Sequence, residues 1–492
     1  MKTLSFLLKH IDYTEIIGDE QYDILSVEFD SRLIHRADNE KVTSIYIAQR
    51  GTQADGHLFI PQAIGNGAKV IICEQVPQDI NPSITYIRVN NSSIALGKLA
   101  SAYYDFPSQK LKLVGITGTN GKTTTVTLLH QLFMSLGYPT GLISTIVNKI
   151  ENKEIPSTHT TPDALALNKL LAQMVDAGCE FCFMEVSSHA ICQYRIEGLS
   201  FVGAIFSNIT HDHLDFHKTF SNYIQAKKAF FDHLPKTAFA LTNIDDKNGR
   251  VMVQNSQAVI KTYSLNSDAD MKGVILDNGF EGLHLKINGQ EVFFHLSGKF
   301  NAYNLLAIYG TAVLLGVPSD EVLLKMSALT TAEGRFEVIR NGQGGVAIVD
   351  YAHTPDALQN VLSTIHDITQ NREEILTVVG CGGNRDALKR PIMADIACHY
   401  SHRVILTSDN PRLEDPNQIL RDMEAGISIE SKQNVLIIEN RHEAIKTASM
   451  MMRDHGVILI AGKGHEKYQD IQGIKHHFDD TEEIKNNWNI NK

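Results

Sequence analysis

The chain has 492 residues but only six cysteines, Cys73, Cys179, Cys182, Cys192, Cys381 and Cys398. No disulfide ladder can be drawn through so sparse a set, so a small secreted scaffold is excluded and a reducing compartment fits. Cys179 and Cys182 form a C-x-x-C, but no second pair or H-x-x-x-H follows at zinc-finger spacing, so both read as ordinary buried thiols. No apolar run approaches the ~20 residues of a membrane span. The N-terminal run M-K-T-L-S-F-L-L-K-H is too short for a signal peptide and is broken by Lys9 and Asp12. Basic residues show no excess, since the net charge is −11, which argues against a nucleic-acid surface. Internal repeats and low-complexity tracts are also missing. These absences predict a cytoplasmic protein with no membrane span and no nucleic-acid partner.

The composition can build large cores: 43% of residues are hydrophobic and 21% charged. At ~150 residues per domain the length predicts about three domains. The first runs to residue 107, with strand-like stretches at Ile45–Ala48 and Val70–Cys73. The second covers 108–337 and opens on the strand 111–117. A helix follows, with Val126, Leu129, Phe133 and Leu136 at helical spacing and Gly137 suited to the C-cap. Further strands are expected at Phe181–Val186, Ala204–Ser207 and Ala238–Thr242, in the alternation of a parallel α/β sheet. The third covers 338–492. Five β-branched runs, Val346–Val349, Ile375–Val379, Val404–Thr407, Val435–Ile438 and Val457–Ala461, are separated by helical stretches such as 355–365 and 441–455. That pattern predicts a doubly wound, dinucleotide-fold-like domain.

Between strand and helix lies G-I-T-G-T-N-G-K-T-T-T, residues 115–125. Such a stretch has little apolar surface to pack. A strand, a glycine-rich loop and a helix opening on Gly-Lys-Thr make a phosphate cradle, with backbone N–H groups and the helix N-terminus facing the anion. Lys122 would reach the β- and γ-phosphates and the Thr123 hydroxyl would sit on Mg²⁺. The strict pattern wants glycine at Ile116; here Gly118 stands two places later, so the loop is a variant one. Glu185 ends a strand where α/β ligand sites lie. His213 follows another strand end in H-D-H-L-D-F-H. A carboxylate, an imidazole and a hydroxyl around phosphates suit Mg²⁺, although His211, His213 and His217 also admit a zinc reading.

The loop T-G-T-N-G-K-T-T (117–124) resembles that of the Mur ligases, the ATP-dependent amide-forming enzymes of peptidoglycan precursor synthesis; folylpolyglutamate synthetases are more distant relatives. Further blocks follow in the family's order: E-V-S-S-H (185–189), N-I-T-H-D-H-L-D (208–215), G-R (334–335), D-Y-A-H-T-P (350–355), G-C-G-G-N-R-D (380–386) with K-R-P (389–391), D-N-P-R (409–412) and G-K-G-H-E (462–466). They span residues 30 to 480 and jointly resemble the type that adds one amino acid to a UDP-N-acetylmuramoyl-dipeptide. The resemblance implies a small α/β UDP-sugar domain, a central P-loop ATPase-like domain and a C-terminal Rossmann-like domain, acting as a monomer.

It further implies that Gly118, Thr119, Asn120, Gly121, Lys122, Thr123, Thr124, Asn301 and Asp350 bind ATP, and that Mg²⁺ is held by Thr123, Glu185, His213 and Lys227. The last of these, in Y-I-Q-A-K-K-A-F-F (223–231), would be carbamylated by CO₂. Read unaided, Asn301 and Asn304 would be helix-start caps. The UDP-sugar-dipeptide would meet Ser31, Thr52, Gln53, Ala54, Thr160, Thr161, Ser187, Gln193 and Arg195. Where many relatives carry asparagine before the T-T, this chain has His159. Arg335, at the boundary of the second and third segments, would complete the phosphoryl-transfer charge, or form an interdomain salt bridge.

The incoming amino acid would lie among Arg385, Asp409, Asn410, Pro411, Arg412, Gly462 and Glu466. Pro411 makes a rigid turn, so Asn410 and Arg412 project in a defined way. An arginine fork suits a carboxylate. Arg385 would take the α-carboxylate. A second arginine then makes most sense if the side chain ends in another carboxylate, and Glu466 could hold a distal ammonium. That describes meso-diaminopimelate. L-Lysine or another diamino acid is the alternative acceptor, and a surface pair between Arg412 and Glu414 is the bland alternative. A nucleotide-dependent switch without ligation is the reading of another class.

Overall fold

The structure is a computed structural model that describes residues 1–490 except 52, 53, 211, 332 and 371. Three sheets follow one another along the chain. The first has six strands in the order Lys2–Thr3, Asp23–Glu28, Val42–Ile47, Val70–Cys73, Thr85–Arg88, Glu15–Ile17. Its four inner strands are parallel and both edges antiparallel. Asn91 accepts from Ser93 N and Ile94 N to start the helix Ser92–Tyr103, whose Leu96 and Leu99 close the core of this sheet.

The second sheet has eleven strands. Its middle is parallel, in the order Thr140–Ile143, Phe181–Glu185, Lys112–Thr117, Gly203–Phe206, Phe239–Asn243, Val259–Ser264. Phe181–Glu185 and Phe239–Asn243 are buried at every position, as expected where helices cover both faces of a parallel sheet. Leu128, Phe133, Leu305 and Ile308 fill one face and Leu171, Phe206, Phe230 and Phe231 the other. The expected parallel sheet is therefore the centre of a larger mixed one. The sequence reading left out the antiparallel meander Met271–Gly279, Gly282–Ile287, Gln290–Phe294 at one end and the hairpin Val147–Ile150, Lys153–Pro156 at the other.

The third sheet runs Glu337–Arg340, Val346–Asp350, Val457–Ala461, Ile375–Val379, Arg403–Leu406, Val435–Ile437, antiparallel only at the first pair. All five β-branched runs are strands. A small hairpin, Tyr468–Ile471 with Ile474–His477, lies over its carboxyl edge: Arg412 N donates to Asp470 O at 2.9 Å and Gln472 N to Arg412 O at 2.7 Å. Among the described residues no helix is long and apolar enough to cross a membrane.

The C-terminal helix Asp480–Asn487 is tied down by an ion pair with no solvent exposure on either side. Arg441 Nε and Nη2 each donate to Asp480 at 2.7 Å, and Nη2 also reaches Ala461 O at 3.1 Å. Removing one partner of such a pair leaves a buried charge uncompensated, at a cost of ~3–5 kcal/mol. The single tryptophan, Trp488, caps this helix. Asp480→Ala should therefore move the urea midpoint of Trp488 fluorescence markedly downward, and Arg441→Met/Asp480→Leu should recover much of the loss.

Candidate active site

The strand Lys112–Thr117 lies between Phe181–Glu185 and Gly203–Phe206, with Ile116 opposite Glu185 and Thr117 opposite Phe206. Parallel pairing aligns carboxyl ends, so the phosphate loop, Glu185 and the segment around Asn208 meet at one edge. Thr119 N donates to Asn208 O at 2.8 Å and Asn120 N to Asn208 Oδ1 at 2.9 Å. Gly121 opens the helix Lys122–Ser135 at φ +85°, where an L side chain is strained, and a Cβ there would stand 2.5 Å from Asn304 Oδ1. Lys122 Nζ folds back on Gly118 O and Thr119 O at 2.9 and 2.8 Å. Burial lowers its pKa, opposed by the charges of Glu185 and Asp212. Asn304 Nδ2 donates to Asn301 Oδ1 at 3.0 Å and Asn301 Nδ2 to Ser297 O at 2.8 Å. Neither asparagine is the N-cap, which is Gly298. Both face inward, one turn apart, beneath the loop.

Glu185 is 1% exposed. It accepts from Thr123 Oγ1 and from Thr145 N, each at 2.8 Å. A hydroxyl and a carboxylate at the mouth of a phosphate loop are hard oxygen donors, and that donor set fits Mg²⁺. Lys227 is 1% exposed, donates to Gly118 O at 2.8 Å and lies 4.7 Å above the Tyr223 ring. Burial, reinforced by the Lys122 ammonium, pushes its pKa well below the usual lysine range. His213 sits on a left-handed turn, φ +54°, with its ring 4.9 Å from that of His189 and 6.2 Å from Tyr223. His217 Nε2 meets Ser188 Oγ at 2.9 Å, and His211 lies outside the described residues. Among the described residues no three His, Cys, Asp or Glu side chains are grouped to hold a metal.

The third sheet reaches the same loop. Arg335 Nη2 stands 3.4 Å from Thr123 Oγ1, and its guanidinium lies 4.7 Å over Tyr351. Asp350 accepts from Phe336 N at 2.7 Å, fastening the segment that carries Arg335. Burial raises its pKa to about 6 although Arg335 opposes the shift. The sequence reading missed Asp356, whose Oδ2 takes Asn120 Nδ2 at 2.7 Å and Thr210 Oγ1 at 3.0 Å. It follows directly on the block D-Y-A-H-T-P, and an acid in the first turn of a helix was the available signal.

A cavity of about 470 Å³ is lined by Gln49, Arg50 and Gly51 from the first segment and by Gln193 and Arg195 from the second. Arg195 Nη1 donates to Thr161 O at 2.8 Å and Nη2 to Gln193 Oε1 at 2.7 Å. Thr161 Oγ1 donates to Glu185 O at 2.8 Å and accepts from Ser187 N at 3.1 Å, and Thr160 Oγ1 meets Thr145 Oγ1 at 3.0 Å. Ala54 O accepts from Gly51 N. Ser31 is buried with its hydroxyl on Gln62 Oε1, 2.9 Å away. Thr52 and Gln53 lie outside the described residues. His159 turns to the neighbouring Thr158 Oγ1 at 3.2 Å.

At the carboxyl edge of the third sheet, Asn410 Nδ2 donates to Glu466 Oε2 at 2.7 Å. Arg412 adopts φ +52° and its Nη1 donates to Gly383 O at 2.8 Å. Its expected alternative partner is engaged elsewhere: Glu414 accepts from Arg390 Nη2 at 2.8 Å and from Asn384 N. Gly382 separates Arg412 from Arg385, since a Cβ there would lie 2.9 Å from Arg412 Nη1 and 3.9 Å from Arg385 Cγ. Two guanidinium-bearing chains thus flank one glycine, with Asn410 O 3.7 Å from the same Cβ position.

A phosphate loop, a hard-oxygen pair and an arginine brought from the following sheet define a nucleotide-dependent phosphoryl-transfer site. Family models described as Mur ligase middle domain, Mur ligase glutamate ligase domain and Mur ligase family catalytic domain match residues 116–312, 334–464 and 41–104. The UDP-N-acetylmuramoyl-L-alanyl-D-glutamate–2,6-diaminopimelate ligase of Phocaeicola vulgatus is 54% identical over 98% of each chain. The Bacteroides thetaiotaomicron ligase of that name is 52% identical over 99% of this chain and 100% of that one. A solved structure of a ligase so named superposes with a TM-score of 0.71 at 32% identity, covering 100% of this chain and 99% of the other. MurF ligase from Thermotoga maritima in complex with ADP shares the fold, with a TM-score of 0.61 at 19% identity over 95% of this chain and 98% of that one. The chain belongs to the Mur ligase family.

Replacing Gly121 with alanine would set a Cβ against Asn304 at a strained φ, which costs ~1–3 kcal/mol. Gly121→Ala should lower the thermal midpoint and weaken nucleotide binding at least ~10-fold in a titration with an ATP analogue.

Proposed function

We propose that the chain is an ATP-dependent ligase joining meso-diaminopimelate to UDP-N-acetylmuramoyl-L-alanyl-D-glutamate, which yields the UDP-MurNAc-tripeptide of peptidoglycan synthesis. The full-length identity of 54% to a relative named for that reaction carries the reading. The dipeptide carboxylate attacks the γ-phosphorus of ATP and ADP leaves. The amine then attacks the acyl carbon of the acyl-phosphate, and inorganic phosphate departs as the amine loses its proton. Segments 1–107, 108–337 and 338–492 supply the UDP-sugar, ATP and amino-acid sites. The enzyme works in the cytoplasm as a monomer.

The backbone of Gly118, Thr119, Asn120 and Gly121 cradles the phosphates with Thr124, and Asn301 and Asp350 hold the rest of the nucleotide. Lys122 swings from its loop carbonyls to the transferring phosphoryl group, where Arg335 joins it. Thr123, Glu185, His213 and carbamylated Lys227 would hold Mg²⁺, which supplies charge neutralisation at the phosphate oxygens when bound. Low basicity at Lys227 favours carbamylation, because only the neutral amine adds CO₂. The product places an anion beside Lys122 where an amine stood. Ser31, Thr52, Gln53 and Ala54 approach the UDP-sugar from the first segment, and Thr160, Thr161, Ser187, Gln193 and Arg195 hold its peptide arm. Arg385 and Arg412 take the two carboxylates of the amino acid, while Asp409, Asn410, Pro411, Gly462 and Glu466 shape the pocket for its ammonium. Lysine lacks the second carboxylate, and Arg412 is not spent on Glu414.

Phosphate release should need ATP, the UDP-dipeptide and diaminopimelate together; release indifferent to the UDP-dipeptide would end this reading. Arg412→Ala should raise the KM for diaminopimelate ~10–100-fold, the worth of charge-assisted hydrogen bonds, with ATP binding intact. Lys227→Ala should cut turnover by at least about two orders of magnitude. Intact-mass analysis of wild type in bicarbonate should show one added CO₂ that the variant lacks.

A further inference from the structure

One cation at the carboxyl edge of the third sheet has no role in the chemistry above. Lys463 follows the strand Val457–Ala461 by two residues, and its side chain is 0% exposed. Burying an ammonium is costly unless it is paired. Its Nζ lies 3.2 Å from Asn410 Oδ1, 3.6 Å from Glu466 Oε2 and 3.7 Å from Asp409 Oδ1, and 5.6 Å over the Tyr468 ring.

This contact fixes the sense of the Asn410 amide. Asn410 Oδ1 faces Lys463 Nζ and also Asp470 N, at 2.9 Å. Both groups can only donate, so the carbonyl end must point at them. The NH₂ end is then forced toward Glu466 Oε2, 2.7 Å away. Lys463 and Asn410 together hold the Glu466 carboxylate through one oxygen.

The neighbouring groups point the same way. Two carboxyl side chains, Asp409 and Glu466, face the single ammonium of Lys463; the Arg412 guanidinium also acts on Glu466, and Arg441 is already paired with Asp480. Asp409 Oδ1 is buried and has no hydrogen-bond donor. A buried carboxyl oxygen without a donor calls for one more donor, and a substrate ammonium supplies it.

Resting on the ligase assignment above, we propose that Lys463 is a positioning residue of the amino-acid pocket. It orients Asn410 and Glu466 toward a substrate side chain ending in an ammonium. Burial and the Asp409 charge push the Glu466 pKa up, and Lys463 is among the groups holding it down. Without Lys463, the Asn410 amide loses a donor that fixes its sense and Glu466 Oε2 loses one of the two groups that hold it. Simple attraction predicts the reverse, namely that a pocket stripped of a cation binds an ammonium more tightly.

The test compares wild type with Lys463→Met and Lys463→Gln. KM for meso-diaminopimelate, ATP and the UDP-dipeptide is measured by phosphate release, alongside thermal midpoints. The expected result is a KM for diaminopimelate raised at least ~10-fold in both variants, with the other two KM values within about twofold of wild type. Adding Asp409→Asn to Lys463→Met restores the charge balance and should recover part of the loss. If Lys463→Met does not fold, Lys463→Gln decides alone, since glutamine keeps a donor for Asn410. An unchanged or lowered KM for diaminopimelate would overturn the proposal, as would a loss shared equally by all three substrates. Wild type that releases no phosphate with diaminopimelate would overturn the ligase assignment and this inference with it; normal wild type with indifferent variants would overturn this inference alone.

Discussion

Everything in this molecule depends on the alignment of parallel strands. Pairing Lys112–Thr117 in parallel with its two neighbours brings three carboxyl ends to one edge, so Glu185 meets Thr123 with no long-range adjustment of the chain. The third sheet repeats the device. Val379, Leu406 and Ala461 end in register, so the segments that carry Arg385, Asn410 and Glu466 converge at one edge. The two edges are linked where Asn120 of the phosphate loop donates to Asp356 and Arg335 stands by Thr123.

Both edges bury charge, and each handles it differently. At the phosphate loop Lys122 and Lys227 have loop carbonyls as partners, and burial lowers the basicity of both. At the third sheet Lys463 sits among carboxylates and is neutralised in place. The Arg441–Asp480 pair, with bidentate geometry and no exposure, does structural work beside that pocket by gripping Ala461 O. Buried ions of the first kind suit chemistry; those of the last kind suit rigidity.

The strands of the parallel cores were legible from sequence because burial on both faces writes continuous β-branched runs, as in Val457–Ala461 and Ile375–Val379. The meander from Met271 to Phe294 was not, since its outer strands carry exposed positions and all three interleave polar or charged residues with apolar ones. In the site, the phosphate loop was readable from local spacing alone. Contacts such as Asn120 with Asp356, 236 residues apart, carry no local signature. Asn301 and Asn304 looked like caps because the sequence places them at a helix start, but Gly298 takes that position and frees them to face the loop. Lys463 was hidden in plain view, since a lysine between glycines reads as a surface turn until the fold encloses it.

The central claim is that a carboxylate made reactive by ATP meets an amine in the cleft between the two edges. It is tested most directly by labelling the reacting carboxylate of the UDP-dipeptide with oxygen-18 and analysing the phosphate released with diaminopimelate. Passage through an acyl-phosphate transfers one labelled oxygen to each phosphate. Unlabelled phosphate, with product formed, would contradict the account.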